Sequence, residues 1–180
     1  MNNPNTPIIG EIIYTHAQIT TAIKQMGCTI SADISSPEAI VAVTVLKGAK
    51  PLADALLNEI NVPLARGTIS AQSYTGQSST NNVTVGKYLG EPFTNKTILL
   101  IDDIYDTGLT LHALSNYFIS NGASEIKTCV LLNKEVPRKQ EIDIHYQGFK
   151  TPNKFLIGFG LDYDGKYRDL PYISALPLID

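Results

Sequence analysis

The stretch Thr97-Ile98-Leu99-Leu100-Ile101-Asp102-Asp103-Ile104-Tyr105-Asp106-Thr107-Gly108-Leu109-Thr110-Leu111 limits what this chain can fold into more than any other. Ile98 to Ile101 is a short apolar run of the kind that forms a strand buried on both faces. Asp102 and Asp103 end the run, and Asp106, Thr107, Gly108 and Thr110 make a hydroxyl-rich turn. Leu111, Leu114 and Phe118 then recur at helical spacing. In an open α/β sheet, ligands gather at the carboxyl ends of the strands, where this turn falls. The backbone N–H groups from Asp106 to Thr110 open the helix and are free to hold a phosphate. Asp102 and Asp103 suit ribose hydroxyls or a magnesium ion. Carboxylates this close repel one another unless a cation or hydroxyl donors accompany them. The stretch therefore reads as a site for a phosphate and a polyol.

The remaining chain repeats the strand–loop–helix pattern. Residues 1–10 read as a loose arm, followed by an apolar piece at Ile12 and Ile13. Thr15 can cap a helix with Ile19, Ala22, Ile23 and Met26 inward, ended by Gly27. Ala39 to Leu46 reads as a buried strand, then come Lys47-Gly48-Ala49-Lys50 and Pro51 at a first helical position. Leu52, Ala53, Leu56, Leu57 and Ile60 supply that helix's buried face. Pro63 to Ser70 suits a strand, and Val83 to Val85 a second one paired antiparallel with it. Between them, residues 71–82 are too polar to pack and form either a disordered surface loop or an active-site lid.

The helix after the opening stretch is expected to end near Asn121-Gly122, with another buried strand over Ile126 to Leu132 and Lys134 just past its end. Glu135 to Gln140, charged and containing Pro137, reads as a surface turn, and Ile142-Asp143-Ile144 as a half-exposed strand. This alternation of β and α predicts an α/β fold with a mostly parallel central sheet flanked by helices.

Composition narrows the function classes. A chain of 180 residues is expected to make one domain with a real core. A net charge of −3 without a basic run argues against nucleic acid as a partner. Cys28 and Cys129 lack metal-ligand spacing and read as buried free thiols in a reducing compartment. No apolar run approaches the ~20 residues of a membrane span, and the N-terminus lacks signal-peptide features. A cytoplasmic protein without a membrane partner is expected. His16, His112 and His145 show no triad or metal spacing, and neither a nucleophile signature nor a Walker A pattern occurs.

Leu99 to Thr110 resembles the phosphoribosyl-diphosphate (PRPP) signature of type I phosphoribosyltransferases. Other segments narrow the resemblance to the hypoxanthine(-guanine) phosphoribosyltransferases: Val45 to Ala49, Ser73-Tyr74, Leu131 to Lys134, Gly148-Phe149, Pro152, Phe155 to Tyr163 and Tyr167 to Ile173. The likeness runs in family order from about residue 10 to the C-terminus. It implies the type I phosphoribosyltransferase fold in one domain over 1–180, with a small hood from about 1–20 and 141–180 and a flexible lid at about 71–82. It implies a purine-salvage transferase that moves ribose 5-phosphate from PRPP to N9 of hypoxanthine, and of guanine, giving IMP or GMP and pyrophosphate. The partners implied are PRPP and a 6-oxopurine, the cofactor Mg2+, and the assembly a homodimer or homotetramer.

Residue by residue, the resemblance places the 5′-phosphate on Asp106, Thr107, Gly108, Leu109 and Thr110. Asp102 and Asp103 fall to the ribose hydroxyls and magnesium, and Asp106 to proton exchange with purine N7. Pyrophosphate falls to Lys47, Gly48 and Arg168, with Ser73 and Tyr74 in the lid; the peptide bond before Lys47 is often cis in the family. Phe155 would stack on the base and Ile104 cover its other face. Lys134 would donate to O6, while Leu156 and Asp162 would meet the 2-position, Asp162 also lying near a second magnesium.

Two positions depart from the family pattern. Asp102 stands where Glu is usual; the Asp-Asp form is common in relatives that prefer xanthine and guanine, so a xanthine–guanine phosphoribosyltransferase is an alternative. Tyr105 stands where an aliphatic residue is usual. The segment Ser31 to Glu38 matches the family poorly. A non-catalytic RNA-binding regulator on the same fold is a further alternative, against which the acidic charge balance speaks.

Overall fold

In the computed structural model, residues 10–73 and 83–176 are described. The arm at 1–9, Tyr74, most of the expected lid and the last four residues lie outside them. In chain order the elements are β1 (Glu11–Tyr14), α1 (His16–Asp33), β2 (Ile40–Leu46), α2 (Lys50–Glu59), β3 (Ala65–Ser73), β4 (Val83–Val85), β5 (Leu89–Gly90) and β6 (Thr97–Tyr105). They continue with α3 (Leu109–Ser120), β7 (Glu125–Lys134), β8 (Tyr146–Thr151), β9 (Leu156–Ile157) and β10 (Ile173–Ala175).

The central sheet runs β4-β3-β2-β6-β7-β8, with β5 also on β3. Its body is parallel: β2 pairs with β3 and β6, β6 with β7, and β7 with β8. The expected antiparallel pairing of β4 with β3 is present, Gln72 opposite Thr84. The apolar strand runs divide by alternation, as a period of two requires. Leu99 and Ile101 point with Ala42 and Leu131 into a cluster shared with Ile19, Ile23, Leu52 and Leu56 of α1 and α2. Ile98 and Leu100 point with Val41, Val43 and Val130 towards Leu111, Leu114 and Phe118 of α3. Helices cover both faces, so these strands are apolar throughout rather than alternating.

A second, antiparallel sheet, β1-β10-β9, is built from the two ends of the described chain, with Glu11 opposite Ala175 and Ala175 opposite Leu156. Residues 146–151 lie within the range expected for the hood, 141–180, but they join the central sheet as β8. Among the described residues no helix is long and apolar enough to cross a membrane.

Thr15 does cap α1, in a reciprocal box. Gln18 N donates to the Thr15 hydroxyl, and Thr15 N donates to Gln18 Oε1 at 2.9 Å. The helix does not stop at Gly27, however; it runs on to Asp33. Gly27 is where α1 meets the end of α2: a Cβ there would lie 2.6 Å from Glu59 Cβ. Close approach, not helix termination, explains that glycine. Pro51 is the second residue of α2 rather than the first, and Lys134 is the last residue of β7 rather than one beyond it. Ile142-Asp143-Ile144 is not a strand. Ile142 N donates to the Tyr105 hydroxyl at 3.1 Å, and Ile142 and Ile144 pack as a loop against the α3-side cluster. Of the two thiols only Cys129 is buried, which pushes its pKa up; Cys28 is exposed.

Candidate active site

The carboxyl ends of β2 and β6 and the start of α3 open into a cavity of about 500 Å³. Lys47, Gly48, Asp102, Asp103, Ile104, residues 106–110, Asp162 and Arg168 all line it. The opening stretch and the Lys47 loop, distant in sequence, thus share one mouth.

At the end of β6 the strand continues through the acids to Tyr105, so Asp102 and Asp103 lie within it. Gly108 then turns at φ 86°, a conformation that suits glycine, and serves as the N-cap of α3 without a side-chain cap bond. The first N–H groups of α3 have neither an intrahelical partner nor a side-chain cap, which leaves donors of the kind that can hold an anion. Across the mouth, the Leu46–Lys47 peptide is cis, as the resemblance implies. Gly48 is needed for proximity, since a Cβ on it would fall 1.9 Å from Asp103 Oδ2. Gly160, at φ 100°, approaches in turn: its Cβ would fall 1.9 Å from the Gly48 carbonyl oxygen. The tail, the Lys47 loop and the acidic strand end are therefore stacked in direct contact.

Asp102 is buried, and its carboxyl is held well above the usual carboxylate range by burial and by the charge of Asp103. Asp103 is also raised, again chiefly by burial, with the hydrogen bond to the Asp102 side chain, backbone N–H groups and lastly the Arg168 charge pulling it back. Asp103 N donates to Asp102 Oδ1 at 3.0 Å. An adjacent carboxylate pair short of positive charge fits a magnesium ion. That ion is commonly held by one or two protein carboxylates, with phosphate and water completing the shell. Among the described residues no group of three or more His, Cys, Asp or Glu side chains could hold a metal alone. Asp162, expected beside a second magnesium, forms an ion pair with Arg168: Arg168 Nη2 is 2.6 Å from Asp162 Oδ1. Its other oxygen accepts from Gly165 N at 2.8 Å. Arg168 Nη1 donates to the Gly160 carbonyl at 2.6 Å, so the guanidinium is fixed at the rim.

Of the residues expected around the base, Lys134, Phe155 and Leu156 lie on the side towards the small sheet, while Ile104 and Asp162 line the first cavity. Lys134 and Phe155 line a second cavity of about 670 Å³ with Gly10, Lys154, Ala175 and Leu176. Phe155 is 45% exposed and meets the Tyr163 ring edge to face, 5.5 Å between centroids, so part of its ring remains open to a flat ligand. Leu156 is buried in β9 and lines neither cavity, so only its backbone is suited to meet a base. Lys134 Nζ lies 3.5 Å from Asp106 Oδ2, and this ion pair joins the two cavities. Ser73 ends β3, and Tyr74 lies outside the described residues.

Sequence reasoning missed Arg138, placed in a charged surface turn. Its guanidinium reaches back to the carbonyls of Tyr105 and Asp106 and to Asn133 Oδ1, the last at 2.6 Å. No local pattern marks it, because the contacts that tie it to the loop, at Tyr105 and Asp106, lie more than thirty residues away.

The family described as the phosphoribosyl transferase domain matches residues 11–164. A hypoxanthine-guanine phosphoribosyltransferase of Staphylococcus aureus is 34% identical over 167 residues, 92% of this chain and 93% of the relative. One from Streptococcus pneumoniae is 32% identical over 169 residues, 93% of each chain. The crystal structure of a hypoxanthine phosphoribosyltransferase from Staphylococcus aureus superposes with a TM-score of 0.87 at 34% identity, covering 94% of this chain and 92% of that one. A hypoxanthine-guanine phosphoribosyltransferase from Bacillus anthracis gives 0.87 at 33% identity, over 94% of this chain and 100% of the other.

Proposed function

Since this chain belongs to the hypoxanthine-guanine phosphoribosyltransferase family within the type I phosphoribosyltransferases, we propose that it transfers ribose 5-phosphate from PRPP to N9 of hypoxanthine and guanine. The observation that carries the choice of base is the Lys134–Asp106 pair, 3.5 Å apart. O6 and N7 are neighbouring atoms on one edge of a 6-oxopurine. An ammonium donor and a carboxylate at this separation suit O6 as acceptor and the N7 proton as donor. Adenine would turn an amino group towards the ammonium and leave that donor unpaired.

The rest of the site follows from its charges. The 5′-phosphate sits on the uncapped start of α3, held by backbone N–H groups and the hydroxyls of Thr107 and Thr110. Pyrophosphate leaves towards Lys47, Gly48 and Arg168, the last held in place by Asp162. Asp102 and Asp103 face the ribose hydroxyls and would hold Mg2+, which when bound offsets the charge of the departing pyrophosphate. The N9 lone pair bonds C1′ as the C1′–O bond to pyrophosphate breaks, and the N7 proton passes to Asp106. Phe155 and Ile104 sandwich the base. We take the chain as one domain whose hood is the small sheet, working in the cytoplasm as a homodimer or homotetramer.

Steady-state rates with PRPP and hypoxanthine, guanine, xanthine or adenine test the reading. Hypoxanthine and guanine are expected to turn over fastest. Preference for xanthine over hypoxanthine would move the assignment to the xanthine–guanine enzymes, and faster turnover of adenine would sink it.

A further inference from the structure

Tyr105 is buried directly behind the phosphate loop, and the PRPP chemistry proposed above does not use it. Its hydroxyl donates to the Gln140 carbonyl at 3.3 Å and accepts from Ile142 N at 3.1 Å. The Arg138 guanidinium carbon lies 4.0 Å from the centre of its ring, a cation–π distance. One side chain therefore holds residues 138, 140 and 142 of the 135–142 segment.

That segment in turn binds the outward side of the phosphate loop. Arg138 Nη1 donates to the carbonyls of Tyr105 and Asp106. Lys139 N and Gln140 N both donate to the Thr107 carbonyl, at 2.9 and 3.1 Å. Three successive loop carbonyls are thus turned towards the 138–140 segment. In a trans peptide the C=O and the following N–H point in opposite directions. Turning the carbonyls of 105, 106 and 107 to that side turns the N–H groups of 106, 107 and 108 to the opposite one, where the phosphate is expected. The fit is close: a Cβ on Gly108 would fall 1.9 Å from the Gln140 carbonyl oxygen and 3.2 Å from the Tyr105 ring.

We propose that Tyr105 is a positioning residue for phosphate binding, acting through Arg138 and the 138–142 segment to aim the loop N–H groups at the 5′-phosphate. An aliphatic residue at 105 could neither stack on Arg138 nor bond Gln140 and Ile142. The inference rests on the PRPP reading for its natural ligand, while its geometry concerns any phosphate on the loop.

Tyr105→Phe keeps the ring and removes the hydroxyl; Arg138→Lys keeps the charge and removes the planar fork. In Tyr105→Phe the KM for PRPP rises about three- to tenfold, the worth of one or two ordinary hydrogen bonds, with kcat and the KM for hypoxanthine within about twofold. In Arg138→Lys the KM for PRPP rises about ten- to a hundredfold, since charge-assisted bonds are lost. Protection against thermal unfolding by inorganic phosphate is measured alongside. It weakens in both variants, and this readout holds whether or not wild type turns over a purine. Wild-type inactivity towards PRPP and every purine would count against the proposed function alone. Unchanged phosphate protection in both variants, or equal rises in KM for PRPP and hypoxanthine, would overturn the positioning role.

Discussion

Replacing Gly27 by alanine sets two effects of opposite sign against each other, and the structure decides between them. Gly27 lies well inside the continuous helix α1. Propensity alone would make alanine stabilising there, by about 0.8–1.0 kcal/mol. The new Cβ, however, would lie 2.6 Å from Glu59 Cβ, 2.9 Å from the Glu59 carbonyl oxygen and 3.0 Å from its carbonyl carbon. Carbon atoms in contact normally sit about 3.5–4.0 Å apart, so the end of α2 must retreat by close to 1 Å. Two of the three atoms are backbone and cannot rotate aside. Overpacking of this kind costs about 1–3 kcal/mol, and backbone crowding puts this site in the upper half. A net loss of about 1–2 kcal/mol remains. For a chain of this length that lowers the melting temperature by about 2–8 °C, at about 2–4 °C per kcal/mol. Differential scanning calorimetry of wild type and Gly27→Ala measures it directly. A melting temperature that rises would refute the close-approach argument and return Gly27 to the role of an ordinary helix liability.

Two further substitutions probe the acids. Asp106→Asn keeps the shape but cannot accept the N7 proton, so kcat falls by about 10²–10⁴ while the KM for PRPP changes only a few-fold; an unchanged kcat would rule out the acid–base role. Asp102→Asn inactivates the enzyme yet raises the magnesium-free melting temperature at pH 7–8. The folded state holds the Asp102 proton to a higher pH than the unfolded chain does. Its contribution to stability is therefore complete below the ordinary carboxylate range and lost as pH rises through the raised value. Melting curves from pH 4 to 8 should show the advantage of Asp102→Asn shrinking towards pH 4, and equal melting temperatures at pH 8 would contradict the burial of that charge.

The parts of the molecule legible from sequence are those fixed by local periodicity and local chemistry. Val41 to Val45 and Ile98 to Ile101 are apolar at every position but Thr44, and both proved to be sheet strands covered by helices on both faces. Thr15 and Gln18 are three residues apart, so the capping box needs no tertiary information. The acids, threonines and glycine of residues 102–110 line one cavity because strand and helix start are contiguous. What failed depended on partners far along the chain. Gly27 reads as a stop signal until α2 is laid across it. Ile142 and Ile144 alternate like a strand, yet the neighbouring Ile142 N–H is taken by the Tyr105 hydroxyl rather than a strand partner. Arg138 looked like a solvated charge because nothing nearby shows that its guanidinium is turned inward.

The pairing of β1 with β10 has a consequence for the order in which the enzyme becomes competent as it is synthesised. The central sheet, with the phosphate loop and the segment that braces it, has all its strands once residue 151 has emerged. Glu11 must wait for Ala175, and the Phe155 carbonyl for Leu176 N, which donates to it at 3.0 Å. A ribosome-bound chain, or one clipped shortly before Ile173, would hold the loop at the start of α3 without the closed small sheet. The cavity at the acidic strand end is completed just as late, because Asp162 and Arg168 line it from beyond residue 151.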